Sequence, residues 1–171
     1  KTVLELRRLI EDLDGDVDVG VSDSKIRFAF GATTLTSKLI DGTFPDYGRV
    51  IPEGNDKILF VEGREFAQAV DRVATISTEK SRAIKLMLDD GRLSLTVSNS
   101  ETGSANEELS ADYGADPLEI GFNSKYLLDV MGQIEGSTAK FAFADAGSPT
   151  VISDADDPDL KSLYVLMPMR V

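Results

Sequence analysis

The sequence predicts an α+β protein built from a repeated β-α-β-β-β unit, with antiparallel sheets that carry the helices on one face. The same order of strand and helix patterns begins at residue 57 and again at residue 117, which is typical of an internal repeat. Apolar and polar residues alternate in the predicted strands, whereas each predicted helix has one apolar stripe. A single stripe covers one face of a sheet, so two units close one domain with both helices on the same side.

The first 52 residues contain this unit without its opening strand. A helix at the beginning of the chain is predicted by apolar residues at helical spacing, Val3, Leu6, Ile10 and Leu13. Three alternating segments, DVDVGV, KIRFAF and TTLTSKLI, predict the strands that follow. We therefore expect an incomplete domain over residues 1–52.

A stretch rich in proline and glycine follows the incomplete domain. The segment DGTFPDYGRVIPEGNDK contains two prolines and three glycines, residue types that interrupt helices and strands. It predicts an ordered linker over roughly residues 41–56. A complete domain is expected over residues 53–171.

The first repeat of the complete domain begins with a strand, KILFVE, and a helix, GREFAQAVDRVATIS. Phe66, Val70 and Val73 lie on one face of this helix. The segments AIKLMLDD and GRLSLTVS predict a hairpin, because the DDG sequence where they join is a turn signal. A more polar segment, ANEELSADY, predicts the last strand of the repeat.

The second repeat begins with the strand PLEIGF and the helix NSKYLLDVMGQIEG. Asn123 or Ser124 can cap the N-terminus of this helix, and Gly136 is expected to end it. Its apolar stripe consists of Leu127, Val130, Met131 and Ile134. Three further strands are predicted, with the sequences TAKFAFAD, SPTVIS and KSLYVLMPM.

The composition excludes several kinds of chemistry. The chain has no cysteine and no histidine, so disulfides, ordinary zinc sites and Ser-His-Asp or Cys-His catalysis are excluded within it. The acidic segment SDADDPD lacks the central glycine and distal glutamate of an EF-hand loop, so it is interpreted as a solvated turn. We expect no catalytic residue, no metal and no cofactor.

The N-terminal segment has none of the features of a targeting signal. The sequence KTVLELRRLIEDLDG is interrupted by charges and has no small-residue cleavage site. It begins directly with a helical pattern, as a chain cut from a longer one would. No run of about 18 apolar residues predicts a membrane span, and we expect a cytoplasmic protein.

The charge distribution allows two interpretations. The formal net charge of −12, from 18 basic and 30 acidic residues, argues against binding to nucleic acid when taken alone. The acidic residues gather in turns and at strand ends, whereas basic residues lie on or just after the predicted helices: Lys1, Arg7, Arg8, Arg64, Arg72, Lys80, Arg82 and Lys125. These are either scattered solvated charges or a surface that faces phosphates.

The C-terminal run SLYVLMPMRV is unusually apolar for a chain end. It is either a last core strand or a tail that lines a groove entered by another molecule. Val165 and Leu166 alternate, so one of them is expected to be structural in either case.

Three motifs in consistent order resemble the bacterial DNA polymerase III beta subunit, the replicative sliding clamp. They are TSKLIDGTFPDYGRVIP, IGFNSKYLLDV and YVLMPMRV. The resemblance implies the DNA-clamp fold, with sheets outside and helices on the inner face of a ring-shaped dimer. The chain would be the second half of the middle domain and the whole third domain, the C-terminal portion of the subunit.

The resemblance also implies a non-catalytic processivity factor. Such a ring encircles duplex DNA without reading its sequence and tethers the polymerase III catalytic subunit, the clamp loader and repair polymerases through short linear motifs. Lys1, Arg7, Arg8, Arg72 and Lys125 are then candidates for the DNA-facing surface. Family rings close with the third domain against the first domain, so the resemblance implies an interface at Thr75, Ile76, Glu107 and Glu108.

The resemblance implies a peptide-binding groove at the tail. Its residues at matching positions are Pro45, Arg49, Val50, Asn123, Tyr126, Gly147, Pro149, Val165, Leu166, Met167, Pro168, Met169 and Arg170. Methionine repacks around varied apolar side chains, and arginine can orient a carboxylate or carbonyl. Family grooves also use the first half of the middle domain, so one wall is expected to be absent here and the affinity reduced.

Two other functions remain open at this point. A peptide-binding adaptor without a DNA role needs the same groove. A hydrolase with paired carboxylates is favoured only by the abundance of acidic residues, which lie in turns.

Overall fold

The computed structural model describes residues 1–77, 82–157, 159 and 162–170. The chain consists of two compact units, Lys1–Pro45 and Asp46–Val171. The division between them falls within the stretch for which the sequence predicts a linker. Each unit is described by itself.

The first unit consists of one helix and one antiparallel sheet. The helix α1 spans Thr2–Ile10, and the strands β1 (Asp18–Val21), β2 (Lys25–Phe30) and β3 (Thr33–Lys38) follow it. The strand order is β1-β2-β3. This is the predicted order of one helix followed by three strands.

The first unit buries little apolar surface. Phe30 is buried, but Val3 and Val19 are 76% and 58% exposed. Of the predicted helical stripe, Leu6 and Ile10 are half-buried, whereas α1 has no buried residue. One helix and a three-stranded sheet offer each other little apolar surface, so the stripe is only partly covered.

The second unit contains the predicted β-α-β-β-β order twice. The first repeat consists of β4 (Lys57–Glu62), α2 (Gly63–Ala74), β5 (Ala83–Asp89), β6 (Arg92–Asn99) and β7 (Gly103–Ser110). The second repeat consists of β9 (Leu118–Asn123), α3 (Ser124–Met131), β10 (Thr138–Phe143), β11 (Thr150–Asp154) and β12 (Leu163–Leu166). A two-residue strand, β8 (Asp112–Tyr113), lies between them in sequence, so the single predicted strand ANEELSADY is divided into β7 and β8.

The two repeats exchange their opening strands. The strand orders are β12-β11-β10-β4-β8 and β7-β6-β5-β9. The first repeat therefore contributes β4 to the sheet of the second repeat, where Leu59 pairs with Phe141. The second repeat contributes β9 to the sheet of the first, where Leu86 pairs with Ile120. Neither sheet is complete without a strand from the other repeat.

A single hydrophobic core joins the two repeats. Phe66 of α2 packs edge-on against Phe141 of β10, with ring centroids 5.4 Å apart, and Phe141 stacks on Phe143 at 5.9 Å. The predicted stripe residues Val70, Val73 and Leu127 belong to the same buried cluster. Each such side chain contributes about 1.5–3 kcal/mol of transfer free energy on burial.

Both helices of this unit end earlier than the sequence predicts. The helix α2 ends at Ala74 rather than near Ser77, and α3 ends at Met131 rather than near Gly136. Beyond α3, the backbone N–H groups of Glu135 and Gly136 donate to the Asp154 carboxylate at 3.1 and 2.7 Å. Because these donors are bound to a side chain from β11, they are unavailable for helical hydrogen bonds.

The last strand is shorter than its predicted segment. It ends at Leu166, whereas the predicted segment KSLYVLMPM continues to Met169. Lys161, where that segment begins, lies outside the described residues.

Gly136 provides a test of the segment that follows α3. A methyl group at this position would lie 2.7 Å from the Oδ2 atom of Asp156, so we expect Gly136→Ala to lower the free energy of unfolding by about 1–3 kcal/mol. Urea unfolding measures the change. In Gly114→Ala, the matched control, the added methyl group has no atom within 4 Å, and the change is expected to stay within about 0.5 kcal/mol. Equal effects of the two substitutions would contradict this account.

Candidate functional site

The C-terminal tail connects the edges of both sheets of the second unit. Its first part is β12, the outermost strand of the five-stranded sheet, in which Leu166 pairs with Thr150. Farther along, the backbone N–H of Met169 donates to the carbonyl of Gly121 in β9 at 2.8 Å. The tail is therefore held at both ends by backbone hydrogen bonds, and its apolar sequence is explained in part by this structural role.

Side chains of the tail divide between the core and solvent. Leu166 is 9% exposed and belongs to the core, whereas Val165 is half-buried. Met167 is 60% exposed and Met169 37% exposed. Leu166 is thus the structural member of the alternating pair, and the methionines present a deformable apolar surface.

The beginning of α3 lies close to the tail. The Asn123 side chain caps the helix by accepting a hydrogen bond from the Lys125 N–H at 3.0 Å. Asn123 follows Gly121, the partner of Met169, by two residues on β9. Tyr126, in the first turn of α3, is 54% exposed, so it is a surface residue.

The loop from Ala144 to Pro149 is ordered by one carboxylate. The Oδ1 atom of Asp145 accepts hydrogen bonds from the N–H groups of Gly147 and Ser148 at 2.7 and 2.8 Å, and its Oδ2 atom accepts one from the Ser148 hydroxyl at 2.9 Å. These bonds, with a smaller contribution from the charge of Lys57, lower the pKa of Asp145 below its ordinary value. Pro149 directly precedes Thr150, the partner of Leu166, so the loop ends beside the tail.

The segment that opens the second unit carries two of the predicted groove residues. It forms a short 3-10 turn over Tyr47–Arg49, in which the Arg49 guanidinium is paired with the Asp46 carboxylate at 3.3 Å. Val50 is 56% exposed. Tyr47 is also 70% exposed and is not among the groove residues that the sequence predicts.

The structure thus brings together part of the set of residues predicted to line the groove. Backbone hydrogen bonds and strand pairing connect the tail to the beginning of α3 and to the loop that contains Gly147 and Pro149. Arg49 and Val50 lie on the opening segment of the same unit, whereas Pro45 is an exposed residue of the first unit.

The candidate DNA-facing residues are all exposed, but two of them are paired with carboxylates. Arg8 of α1 is paired with Glu5 at 2.7 Å. The Arg72 guanidinium of α2 makes a two-pronged contact with the Glu107 carboxylate, with the Nε atom 3.0 Å from Oε2. These bonds raise the pKa of Arg72 and lower the pKa of Glu107. Lys1, Arg7 and Lys125 are also exposed.

The candidate interface residues lie at one edge of the second unit. Thr75 and Ile76 follow α2, and the Ile76 carbonyl accepts hydrogen bonds from Asn99 and Thr102 at 3.3 and 2.9 Å. Glu107 and Glu108 are adjacent on β7, the outermost strand of the four-stranded sheet, and point to opposite faces. Glu107 contacts α2, whereas Glu108 pairs with Arg92 on the other face.

Membrane-spanning helices and clustered metal ligands are both missing from the described part of the chain. None of the helices described is long and apolar enough to span a membrane. In the same residues, histidine, cysteine, aspartate and glutamate side chains form no group of three or more that could hold a metal ion.

Family models match almost the whole chain. The model described as the DNA polymerase III beta subunit, C-terminal domain, matches residues 48–170, and the model of its central domain matches residues 1–46. The chain belongs to the DNA polymerase III beta subunit family. This finding confirms the resemblance seen in the three sequence motifs.

Curated relatives of the beta subunit family are similar over the full chain. The beta sliding clamp of Caulobacter vibrioides is 58% identical over 171 residues, and that of Pseudomonas aeruginosa is 43% identical over 171 residues. The match covers 100% of this chain but only 45% and 46% of those two proteins. The chain therefore spans less than half the length of these relatives.

Solved structures of sliding clamps share this fold. The Bartonella birtlesii clamp, solved with griselimycin bound, superposes with a TM-score of 0.89 at 51% identity, covering 99% of this chain and 45% of that chain. A Caulobacter crescentus clamp superposes with a TM-score of 0.89 at 57% identity, covering 99% of this chain and 45% of that one. The predicted α+β clamp fold is confirmed. All of these proteins are sliding clamps, so the adaptor without a DNA role and the hydrolase have no support.

The lowered pKa of Asp145 predicts how the stability of the fold depends on pH. Because its folded-state pKa is depressed, Asp145 stabilises the fold fully above its unfolded-state pKa of about 3.9, and this contribution is lost as the pH falls through the lower folded-state value. We expect Asp145→Asn to be less stable than the wild type at pH 7 and the difference to shrink as the pH falls below about 4. Urea midpoints of both proteins across this range measure it. A stability difference that does not depend on pH would contradict the assignment.

Proposed function

We propose that this chain acts as part of a sliding clamp, a processivity factor that encircles duplex DNA as a ring dimer and tethers replicative polymerase. The relatives of which it spans less than half are named beta sliding clamps. The observation that carries the proposal is the exposed apolar tail, joined by backbone bonds to β9 and β11 beside the beginning of α3. A clamp performs no chemistry, so we propose a non-catalytic role.

We propose that residues 1–52 form the second half of the clamp's middle domain and that residues 53–171 form its third domain. The two family models support a division into these two domains, since one matches residues 1–46 and the other residues 48–170, although they place the boundary a few residues before the proposed one. The strand exchange in the second unit also supports it, because that unit has both repeats and a shared core.

The tail surface is suited to short apolar peptides. Met167, Met169 and Tyr126 are exposed at its centre, and methionine can adapt to different partner side chains. Pro168 restricts the backbone between the methionines, so less conformational entropy is lost on binding. Arg170 and Arg49 can direct a peptide carboxylate or carbonyl. The partners expected are short linear motifs of the polymerase III catalytic subunit, the clamp loader and repair polymerases.

Weak, sequence-independent contact with DNA agrees with the charge pattern. A net charge of −12 disfavours tight binding to phosphates. The pairing of Arg72 with Glu107 lowers the attraction of that helix for DNA further. Lys1, Arg7, Arg8, Arg72 and Lys125 remain the proposed lining of the ring, which can then slide along DNA. A protein that acts on the replicating chromosome of a bacterium works in the cytoplasm, so we propose that location for this chain.

The edge formed by β7 and the turn after α2 is the proposed dimer interface of the intact ring. An outermost strand such as β7 has unpaired backbone groups that a second sheet can extend. Thr75, Ile76 and Glu108 lie at this edge with Glu107.

The peptide surface is tested by truncating its exposed apolar side chains. A fluorescein-labelled peptide that ends in glutamine followed by leucines, the probe peptide, is expected to bind the wild type in fluorescence polarisation. Tyr126→Ala and Met167→Ala each remove an exposed contact and should weaken binding roughly tenfold, as a central interface residue does.

Met87→Ala is the matched control, because Met87 is 39% exposed but lies on β5 and is not among the proposed groove residues. We expect it to leave the affinity within about twofold of the wild type. Unchanged binding by both Tyr126→Ala and Met167→Ala would exclude the proposed peptide surface.

DNA encirclement is tested in a chimaera in which this sequence replaces the matching segment of the Caulobacter clamp. With a clamp loader, the chimaera should be retained on nicked circular DNA through gel filtration and should be released when the circle is cut. Retention by the ring requires topology rather than affinity, so it should withstand salt that disrupts phosphate contacts. Loss of the chimaera from uncut circles, when the Caulobacter clamp stays bound, would contradict the proposal.

A further inference from the structure

Asn55 closes the base of the loop that leads into the tail. Its Nδ2 atom donates hydrogen bonds to two backbone carbonyls, that of Ala142 at 2.8 Å and that of Pro149 at 2.9 Å. Ala142 lies on β10 just before the loop, and Pro149 is the last residue before β11. One amide group therefore bridges the two ends of the loop that contains Gly147.

Two further bonds act on the same loop. The Lys57 ammonium donates to the Ala144 carbonyl at 2.9 Å, and Asp145 orders the turn through Gly147. Asn55 and Lys57 come from the beginning of the second unit, on the segment that follows Arg49 and Val50. The opening segment and the loop, which both supply proposed groove residues, are thus fixed to each other by side-chain bonds.

The hydrogen bonding of Asn55 indicates that its donors are the important atoms. Its side chain is partly buried, and its Oδ1 atom has no hydrogen-bond partner among the described residues. An unpaired buried acceptor destabilises a protein. Both amide hydrogens, in contrast, are used on carbonyls 87 and 94 residues away. An acceptor-only group such as a carboxylate cannot make either bond.

We propose that Asn55 is a positioning residue of the peptide-binding surface, which holds the Gly147–Pro149 loop in its binding conformation beside the tail. This inference rests on the proposed function. Pro149 adjoins Thr150, which pairs with Leu166, so a displacement of the loop end is passed to the strand before Met167. A loop that is ordered before binding loses less conformational entropy when the peptide arrives.

The test measures binding of the probe peptide to the 171-residue chain and to its variants, together with their melting temperatures. Asn55→Ala removes both donors and is expected to weaken binding roughly tenfold, because the peptide must then order the loop. Lys57→Met keeps the length of the side chain but removes the bond to Ala144, and should weaken binding about threefold.

Asp156→Ala is the matched control. Its Oδ2 atom accepts hydrogen bonds from the N–H groups of Ser137 and Thr138 at 2.7 and 3.1 Å, at the end of the β10–β11 pair that is opposite the loop. This variant should lower the melting temperature and leave peptide affinity within about twofold of the wild type. Comparing Asp156→Ala with Asn55→Ala therefore distinguishes a loss of peptide affinity from a loss of stability in the same pair of strands.

Asn55→Asp adds a measurement that loss of stability alone would not produce. The shape of the side chain is retained, but the carboxylate faces two carbonyl oxygens at about pH 8. When protonated, the carboxyl group can donate one of the two bonds. Burial and the two facing carbonyl oxygens disfavour the charged form, so the pKa of this carboxyl group should lie above its ordinary value. The affinity of Asn55→Asp relative to the wild type should therefore rise at least about threefold between about pH 8 and pH 5. The wild type contains no histidine, so it lacks the side chain that ordinarily titrates in this range.

The results distinguish the positioning role of Asn55 from the proposed peptide surface. If Tyr126→Ala and Met167→Ala weaken binding while Asn55→Ala does not, the positioning role of Asn55 is wrong and the peptide surface stands. The role is also wrong if Asp156→Ala weakens binding as much as Asn55→Ala, or if the relative affinity of Asn55→Asp does not change with pH. If the wild type does not bind the probe peptide at all, the proposed function fails first.

Discussion

The second unit holds together because each repeat supplies the opening strand of the other repeat's sheet. β4 pairs with β10 and β9 pairs with β5, so the opening strand of each repeat finds its longest pairing in the sheet of the other. The aromatic cluster that joins α2 to β10 adds apolar burial across the same boundary. Folding of the two repeats is therefore cooperative, and the rigid frame that results can hold loops and a tail in defined positions.

The tail has a structural role and still leaves apolar side chains exposed. Leu166 fills the core, and the backbone of Met169 is bonded to β9, while the side chains of Met167 and Met169 remain exposed. A chain end that is fixed by its backbone can present apolar side chains without collapsing onto the core. This arrangement explains why an end that is normally polar is apolar here.

Three carboxylates of the second unit hold backbone segments in place. Hydrogen bonds from the Gly147 N–H and from Ser148 lower the pKa of Asp145, and hydrogen bonds from the Ser137 hydroxyl and from the Thr138 and Ser137 N–H groups lower the pKa of Asp156. The Asp154 carboxylate accepts hydrogen bonds from N–H groups of the segment after α3. Acidic residues in turns, whose number suggested hydrolytic chemistry, therefore order loops.

The order of helices and strands, the repeat and the family motifs were all determined by local sequence, because period and turn residues are local properties. The exchange of β4 and β9, the early end of α3 and the bridge from Asn55 to Pro149 were decided only by tertiary structure. Each depends on groups far apart in the chain, so no local pattern encodes it. Burial of Leu166 belongs to the same class, since alternation in a strand shows that two faces differ but not which one meets the core. Exposure of Tyr126, on the helix α3, was likewise decided by the packing of that helix.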